Sequence, residues 1–133
     1  MEEVIILRGV SGCGKSTLSD KFSSLGYYIV SADTFFITKD YKYEFDASKL
    51  QEAHTQCFDE FRYLLELGVN VVVDNTNTSV REIQKYIDYA EQRGYRVTSI
   101  VVENRHGNNS VHNVPEEKRK QQAERLKNSI KLT

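Results

Sequence analysis

The sequence has few cysteines, no long apolar run and almost no net charge, and each of these absences excludes a class of protein. Its two cysteines, Cys13 and Cys57, are too few for a disulfide framework and lie outside any Cys-x-x-Cys or Cys/His spacing that suits zinc. No apolar run approaches the ~18 residues of a membrane span. Glu2 and Glu3 stand where a secretion signal would have basic residues. We therefore expect a soluble cytoplasmic protein with reduced thiols.

The charge of the chain is small but uneven. The 133 residues carry a formal net charge of −1, which argues against a protein coated with basic residues for nucleic acid. Residues 1–66 hold 7 basic and 11 acidic side chains, and residues 67–133 hold 11 and 8, so the net charges of the halves are −4 and +3. The second half is therefore the better place for a polyanion. The length predicts one domain over residues 1–133.

Four segments have the pattern of buried parallel strands. Each is a short run of mostly apolar residues, which is typical of strands covered by helices on both faces. They are Glu3–Arg8, Tyr27–Val30, Val69–Asp74 and Tyr95–Val102. Helical patterns separate them, and this alternation predicts an α/β fold with right-handed crossovers. Ligands of such sheets bind beyond the carboxyl ends of the strands.

The amino-terminal ends of three helices can be predicted. Ser48 with Gln51, and Ser79 with Glu82, have the spacing of a capping box before an apolar stripe. A last helix is expected to begin near Pro115, because proline suits the first helical turn.

The segment after the first strand has the pattern of a phosphate-binding loop. Gly9 is followed, after four residues, by Gly14, Lys15 and Ser16, between an apolar strand and the start of a helix. Glycines let backbone N–H groups curl around an anion, and the helix adds the positive end of its dipole. Lys15 would reach the β- and γ-phosphates of ATP, and the Ser16 hydroxyl would bind Mg²⁺. The cofactor-binding residues predicted here are Gly9, Ser11, Gly12, Cys13, Gly14, Lys15, Ser16 and Thr17.

Two carboxylates follow strands at the same edge of the predicted sheet. Asp33 comes shortly after Tyr27–Val30, where it can accept the proton of an attacking hydroxyl. Its alternative role is to cap a short helix. Asp74 closes the third strand, where a carboxylate meets Mg²⁺ through water. Asn75 and Asn77 follow it, and they can brace the loop or touch the acceptor, or form a polar turn before the next helix.

The order of these motifs resembles a known family. The phosphate loop, Ser31-Ala-Asp33, Asp74-Asn-Thr-Asn77 and a polar lid over residues 103–114 are similar to the phage polynucleotide 5′-hydroxyl kinases and the NEDD4-binding-protein-like kinases among the P-loop kinases. The resemblance covers nearly the whole chain. It implies a P-loop NTPase fold with a parallel sheet of about four strands and a small lid.

The resemblance also implies a reaction and roles for named residues. The reaction would transfer the γ-phosphate of ATP to the 5′-hydroxyl of DNA or RNA. Asp33 matches the family's general base, and the implied catalytic set is Asp33, Lys15 and Arg105. Arg105 matches the lid arginine, and Arg125 falls where relatives carry a basic residue near the nucleotide. Asp33, Asp74, Asn75 and Asn77 would line the substrate site, with Ser16 and Asp74 on the metal.

Other functions remain open from the sequence. Phe36 stands where the phage enzyme has a basic residue near the acceptor phosphate, which leaves a kinase of a small hydroxyl compound as the alternative. A nucleotide-dependent binding module without turnover is a third hypothesis. The stretch Tyr41-Lys-Tyr43-Glu-Phe45 fits either a platform that stacks an acceptor base or packing in the core or at the sheet edge.

Overall fold

A parallel sheet of four strands lies between helices in the computed structural model of the chain, which describes residues 2–10, 12–103 and 116–128. The strands are β1 Glu3–Arg8, β2 Tyr28–Val30, β3 Val71–Asp74 and β4 Arg96–Val101, and the helices are α1 Lys15–Ser24, α2 Leu50–Glu66, α3 Val80–Gln92 and α4 Glu116–Lys127. The strand order is β2-β3-β1-β4, and every pair is parallel. The predicted α/β sheet is therefore confirmed, and its carboxyl ends meet at one edge.

The alternating side chains of β1 serve two separate cores. Val4 and Ile6 face a cluster built with α2 and α3, whereas Ile5 and Leu7 face a smaller cluster on the side of α1. All four side chains are buried. This two-sided burial is the reason that β1 is a continuous apolar run instead of an alternating one.

One predicted helix cap is confirmed and the other is wrong. The Ser79 hydroxyl accepts a hydrogen bond from the backbone N–H of Glu82 at 3.3 Å, and the Glu82 carboxylate accepts one from the N–H of Thr78 at 3.2 Å. Ser48 does not cap α2. Its N–H and hydroxyl both donate to the Asp46 carboxylate, which caps a short 3₁₀ turn that precedes the helix.

The connection between β2 and α2, which the sequence left unassigned, begins with the 3₁₀ helix Ala32–Phe36 and continues into a narrow hairpin. Ile37 pairs with Tyr43 as an antiparallel bridge. The ring of buried Phe36 lies 6.2 Å from that of Tyr43 and 5.0 Å from that of Phe45, measured between centroids. Packing is therefore confirmed for Tyr43 and Phe45, while Tyr41 is 91% exposed.

The predicted lid lies almost entirely beyond the described residues, as does Pro115. Helix α4 follows, and Glu116 and Glu117 form its first turn, where acidic side chains favour the positive end of the helix dipole. None of the helices within the described ranges is both long and apolar enough to cross a bilayer.

Candidate active site

The loop between β1 and α1 has the backbone shape of an anion cradle. Gly12 and Gly14 have φ angles of +84° and +105°, a left-handed conformation that glycine adopts without steric cost. Gly14 directly precedes α1 and has no side chain to cap it, so no N-cap side chain competes with an anion for the first N–H groups of the helix. Ser11, which the sequence placed in the cradle, lies outside the described residues.

Glycine is required at position 9 because neighbouring atoms leave no room for a Cβ atom, whereas Gly12 and Gly14 are required for their backbone conformation. A Cβ atom at this position would lie 2.5 Å from Cys13 Sγ and 2.8 Å from the carbonyl oxygen of Val102. The Cys13 side chain is 1% exposed, so it faces the protein and fills the space beneath the loop. The first glycine of the motif therefore permits β1, β4 and the loop to pack together.

We expect Gly9→Ala to destabilise the fold by about 1–3 kcal/mol, the usual cost of forcing an extra carbon into a packed site. Urea denaturation measures this loss. The double variant Gly9→Ala/Cys13→Ala should recover only part of it, because the conflict with the Val102 backbone remains. An unchanged midpoint in Gly9→Ala would show that the loop has room that the structure does not show.

Lys15 is folded into the cradle. Its ammonium nitrogen donates to the carbonyl oxygens of Gly9 at 2.8 Å and Val10 at 3.1 Å, and lies 3.7 Å from Cys13 Sγ. The residue is only 8% exposed. The loop therefore holds a cation in position through its own carbonyl groups. Ser16 and Thr17, in the first turn of α1, are exposed.

Asp74 ends β3 and is held by a residue that the sequence analysis missed. The hydroxyl of buried Ser19 donates to Asp74 Oδ2 at 2.7 Å. Burial raises the pKa of Asp74, while the Ser19 hydrogen bond and the positive charge of Lys15 lower it. The Ser19 hydrogen bond leaves Oδ1 as the oxygen for a further ligand. Ser19 lies four residues after Lys15, so helical periodicity places both on the same face of α1, and this signal could have identified it.

Asp33 lies in the first turn of the 3₁₀ helix after β2, with its side chain exposed. The capping alternative is wrong for this residue, because the Ser31 hydroxyl accepts from the Asp33 N–H at 3.2 Å and caps the turn. The Tyr43 hydroxyl donates to Asp33 Oδ1 at 3.3 Å. Burial, together with the neighbouring carboxylate, raises the pKa of Tyr43 to about 12. Tyr43 therefore stays protonated near neutral pH and remains a hydrogen-bond donor. The sequence analysis considered Tyr43 for stacking or packing but did not predict its contact with Asp33.

The charges of Lys15 and Asp33 both act on Asp74. Asp33 raises the pKa of Asp74 and Lys15 lowers it, so both groups lie near that carboxylate. The three residues come from the start of α1, the 3₁₀ helix after β2 and the end of β3. The structure thus brings together the lysine and the two carboxylates that the sequence selected separately.

The two asparagines after β3 hold the strand ends in place. Asn75 Oδ1 accepts from the N–H of Ala32 at 2.8 Å, beside Asp33. Asn77 is 2% exposed, and its amide donates to the carbonyl of Leu7 at 2.7 Å. Of the roles left open for this pair, these contacts support bracing. Contact with an acceptor stays an untested prediction.

Of the two arginines predicted near the nucleotide, Arg125 lies within the described residues and Arg105 does not. Arg125, on α4, lies 3.8 Å from the Glu82 carboxylate and is about half exposed. Glu82 also raises the pKa of Arg8, which burial lowers, and Arg8 Nε donates to the carbonyl oxygen of Asn77 at 2.8 Å. Arg125 therefore lies near the carboxylate that also acts on the charge of Arg8, at the end of β1. Arg105 lies outside the described residues.

The donor set near the cradle fits Mg²⁺. Across residues 2–10, 12–103 and 116–128, no three His, Cys, Asp or Glu side chains cluster as a metal site. Mg²⁺ does not need such a cluster, since it usually binds one or two protein oxygens, phosphate oxygens and water. The hydroxyl of Ser16 and the carboxylate of Asp74 are ligands of this kind.

Comparison with known proteins finds one family model and several solved structures that are similar to this chain. A family model described as AAA domain matches residues 4–128. A chain of the Pnkp1/Rnl/Hen1 complex is similar with a TM-score of 0.64 and 20% identity over 90% of this chain. The Mycobacterium tuberculosis APS kinase CysC, in complex with AMPPNP and APS, is similar with a TM-score of 0.55 and 16% identity over 77% of the chain. A gluconokinase from Sinorhizobium meliloti has a TM-score of 0.59 and 18% identity over 93%.

These similarities show the P-loop kinase fold. The sequence identities are too low for the substrate of this chain to be inferred from them. The chain spans 38% of the length of the first of these structures, 62% of the second and 74% of the third.

Proposed function

Because the chain belongs to the AAA domain family and has the site described above, we propose that it is an ATP-dependent phosphotransferase with a hydroxyl acceptor. One observation carries the proposal. The charges of Lys15 and Asp33 both act on Asp74, and the three residues stand at the carboxyl ends of three neighbouring strands. A cation, a metal-binding carboxylate and a carboxylate base are the groups that phosphate transfer needs.

The nucleotide would bind across the loop and the start of α1. Backbone N–H groups between Gly9 and Thr17 would surround the phosphates, and Lys15 would exchange its carbonyl partners for phosphate oxygens. Ser16 and Asp74 would hold Mg²⁺, which neutralises charge on the β- and γ-phosphates when it is bound. Arg105 and Arg125 remain proposed nucleotide contacts. The resemblance to a kinase bound to AMPPNP supports ATP as the donor.

Asp33 would act on the acceptor. It would accept the proton of the hydroxyl as the oxygen attacks the γ-phosphorus, and the phosphate would leave ADP for the acceptor oxygen. The hydrogen bond from Tyr43 to Asp33 Oδ1 helps to orient the carboxylate for this step.

The 5′-hydroxyl of DNA or RNA is the first candidate acceptor, supported by the motif order in the sequence. A small hydroxyl compound, such as a nucleoside, a modified base, a sugar acid or an antibiotic, is the second candidate. It is favoured by Phe36, which is 5% exposed and packed between aromatic rings where a basic contact to an acceptor phosphate was expected. A binding module without turnover is the third. The two free cysteines fit the reduced cytoplasmic setting of all three.

Transfer of labelled γ-phosphate tests the acceptor directly. The protein would be incubated with 5′-hydroxyl DNA and RNA oligomers of several lengths, and in parallel with a panel of small hydroxyl compounds monitored by ADP release. Label on an oligomer supports the first candidate, and ADP release with a small compound alone supports the second. Binding of MgATP without transfer to any acceptor would instead favour the binding module.

Ser19→Ala tests the proposed metal arrangement. Residues that orient a metal ligand typically contribute ten- to a hundredfold to metal affinity, so we expect the Mg²⁺ concentration for half-maximal ATP binding to rise about tenfold. ATP binding in the presence of a chelator should not change. Ser24→Ala is the matched control, because Ser24 lies on the same helix and its hydroxyl donates only to the Lys21 carbonyl. Equal Mg²⁺ dependence in wild type and Ser19→Ala would contradict the arrangement.

A further inference from the structure

The hairpin that follows the 3₁₀ helix Ala32–Phe36 is closed by backbone hydrogen bonds around a tyrosine. The N–H of Tyr41 donates to the Thr38 carbonyl at 2.9 Å, and the N–H of Thr38 donates to the Lys42 carbonyl at 2.8 Å. The Thr38 hydroxyl accepts from the N–H of Lys42 at 3.2 Å. The tip of this hairpin therefore has a defined shape, and Tyr41 stands at its turn.

Tyr41 has a backbone conformation that its side chain disfavours. Its φ angle is +61°, in the left-handed region where a Cβ atom crowds the carbonyl oxygen. Elsewhere in the described part of the chain, positive φ angles are found at glycines and at Asn77. Glycine is also the usual residue at the left-handed position of a short hairpin. A bulky residue at such a position indicates a function that offsets the strain.

Packing within the protein does not explain this tyrosine. Tyr41 is 91% exposed, which is the highest value among the exposed large hydrophobic side chains of the described residues. Its neighbours in sequence, Tyr43 and Phe45, pack against Phe36 instead. The ring of Tyr41 is thus presented to solvent by a strained backbone.

The hairpin is attached to the proposed base. Tyr43, two residues after Tyr41, pairs with Ile37 across the hairpin and donates its hydroxyl hydrogen to Asp33. Two residues span at most about 7 Å of chain, so the backbone of Tyr41 lies within about 7 Å of that of Tyr43, the residue that contacts the proposed base. Exposed Asp40 precedes Tyr41 and exposed Lys42 follows it, so the tip carries charges of both signs and the aromatic ring, not charge, is its distinctive feature.

We propose that Tyr41 is a stacking platform for a nucleobase of a single-stranded nucleic acid whose 5′-hydroxyl reaches Asp33. Aromatic rings bind single strands in this way without reading their sequence. The inference rests on the proposed function and refines it, since it assigns the acceptor class to a particular surface. The first unpaired bases lie on the hairpin, and the terminal sugar extends toward the carboxylate.

Three variants test the platform by fluorescence anisotropy with a short, 3′-labelled thymidine oligomer in low salt. Tyr41→Gly should raise the Kd about tenfold, within the range of one stacked base. Tyr41→Trp should stay within about twofold of wild type. Tyr63→Ala is the control, because Tyr63 is also a well-exposed tyrosine, 61% exposed on α2, but lies far along the chain from the hairpin.

Two further measurements separate stacking from a general structural effect. Tyr41→Gly should raise the Tm by about 3 °C, because glycine removes the strain at this turn. Weaker binding by this variant would then not result from unfolding. An oligomer with abasic sites at its 5′ end should bind wild type about tenfold more weakly and should not distinguish wild type from Tyr41→Gly.

Undiminished binding by Tyr41→Gly overturns the inference, as does an abasic oligomer that wild type binds as well as the intact one. Failure of wild type to bind any oligomer also overturns it. In that last case, calorimetry of MgATP with the same protein decides whether the phosphotransferase proposal stands: retained MgATP binding keeps the kinase and removes only the nucleic-acid acceptor.

Discussion

Asp33→Asn is expected to slow phosphate transfer at least ~10²-fold while leaving the affinity for MgATP within about twofold of wild type. The amide has nearly the same shape and still accepts the hydrogen bond from Tyr43, but it cannot take the proton of the acceptor. Because the side chain is exposed and does not cap its helix, the variant should keep its stability. Single-turnover transfer and MgATP calorimetry give the two values.

Asp88→Asn provides the matched control for this change. Asp88 is an exposed carboxylate on α3 that accepts a hydrogen bond from Gln84, and an asparagine there removes the same charge at a remote place. Its transfer rate should equal that of wild type. If Asp33→Asn transfers phosphate at the wild-type rate, then Asp33 is not the base, and the proposed mechanism fails even if the acceptor is correct.

Lys15→Met is expected to reduce turnover about 10²- to 10³-fold, the usual result of removing a fixed donor aimed at developing charge. MgATP affinity should fall as well, since no other described side chain donates to the carbonyls of Gly9 and Val10 that frame the loop. The free protein should also lose about 1–3 kcal/mol of stability, because the buried carbonyl group of Gly9 loses this partner. Calorimetry and urea denaturation of the same sample measure both effects.

Lys21→Met serves as the control for Lys15→Met. Lys21 lies in the last turn of α1 with an exposed side chain, so its loss changes the net charge equally without touching the loop. We expect its MgATP affinity to match wild type. A Lys15→Met protein that binds MgATP normally would mean that the ammonium group remains on the loop carbonyls when nucleotide binds.

The parts of the fold that sequence predicts well are those determined by local pattern. The run Glu3–Arg8 is apolar on both faces because helices cover both faces of β1, and this pattern needs no knowledge of the partners. Ser79 caps α3 because Glu82 follows at the required distance. At Ser48 the same spacing gave a wrong prediction. Asp46 caps a 3₁₀ turn that includes Ser48, and the Ser48 hydroxyl donates to Asp46 instead of capping α2.

The parts of the site that sequence does not predict depend on contacts between distant segments. Ser19 and Asp74 are 55 positions apart, and only the placement of α1 against β3 brings them together. The hairpin around Tyr41 has neither glycine nor asparagine at its left-handed position, so its sequence has no conventional turn signal. Lys15 was selected from the phosphate-loop pattern, and Asp33 and Asp74 were selected because they stand at the carboxyl ends of predicted strands, which meet at one edge of a parallel sheet.

The amide contacts of Asn75 and Asn77 have a consequence for engineering. Asn77 links the ends of β1 and β3, and Asn75 links β3 to the start of the 3₁₀ helix. The hairpin from Ile37 to Phe45 takes no part in these hydrogen bonds, which hold together the strand ends around the proposed nucleotide site. If the hairpin selects the acceptor, grafting a different hairpin that keeps Tyr43 on Asp33 should change which compound is phosphorylated and leave MgATP binding unchanged.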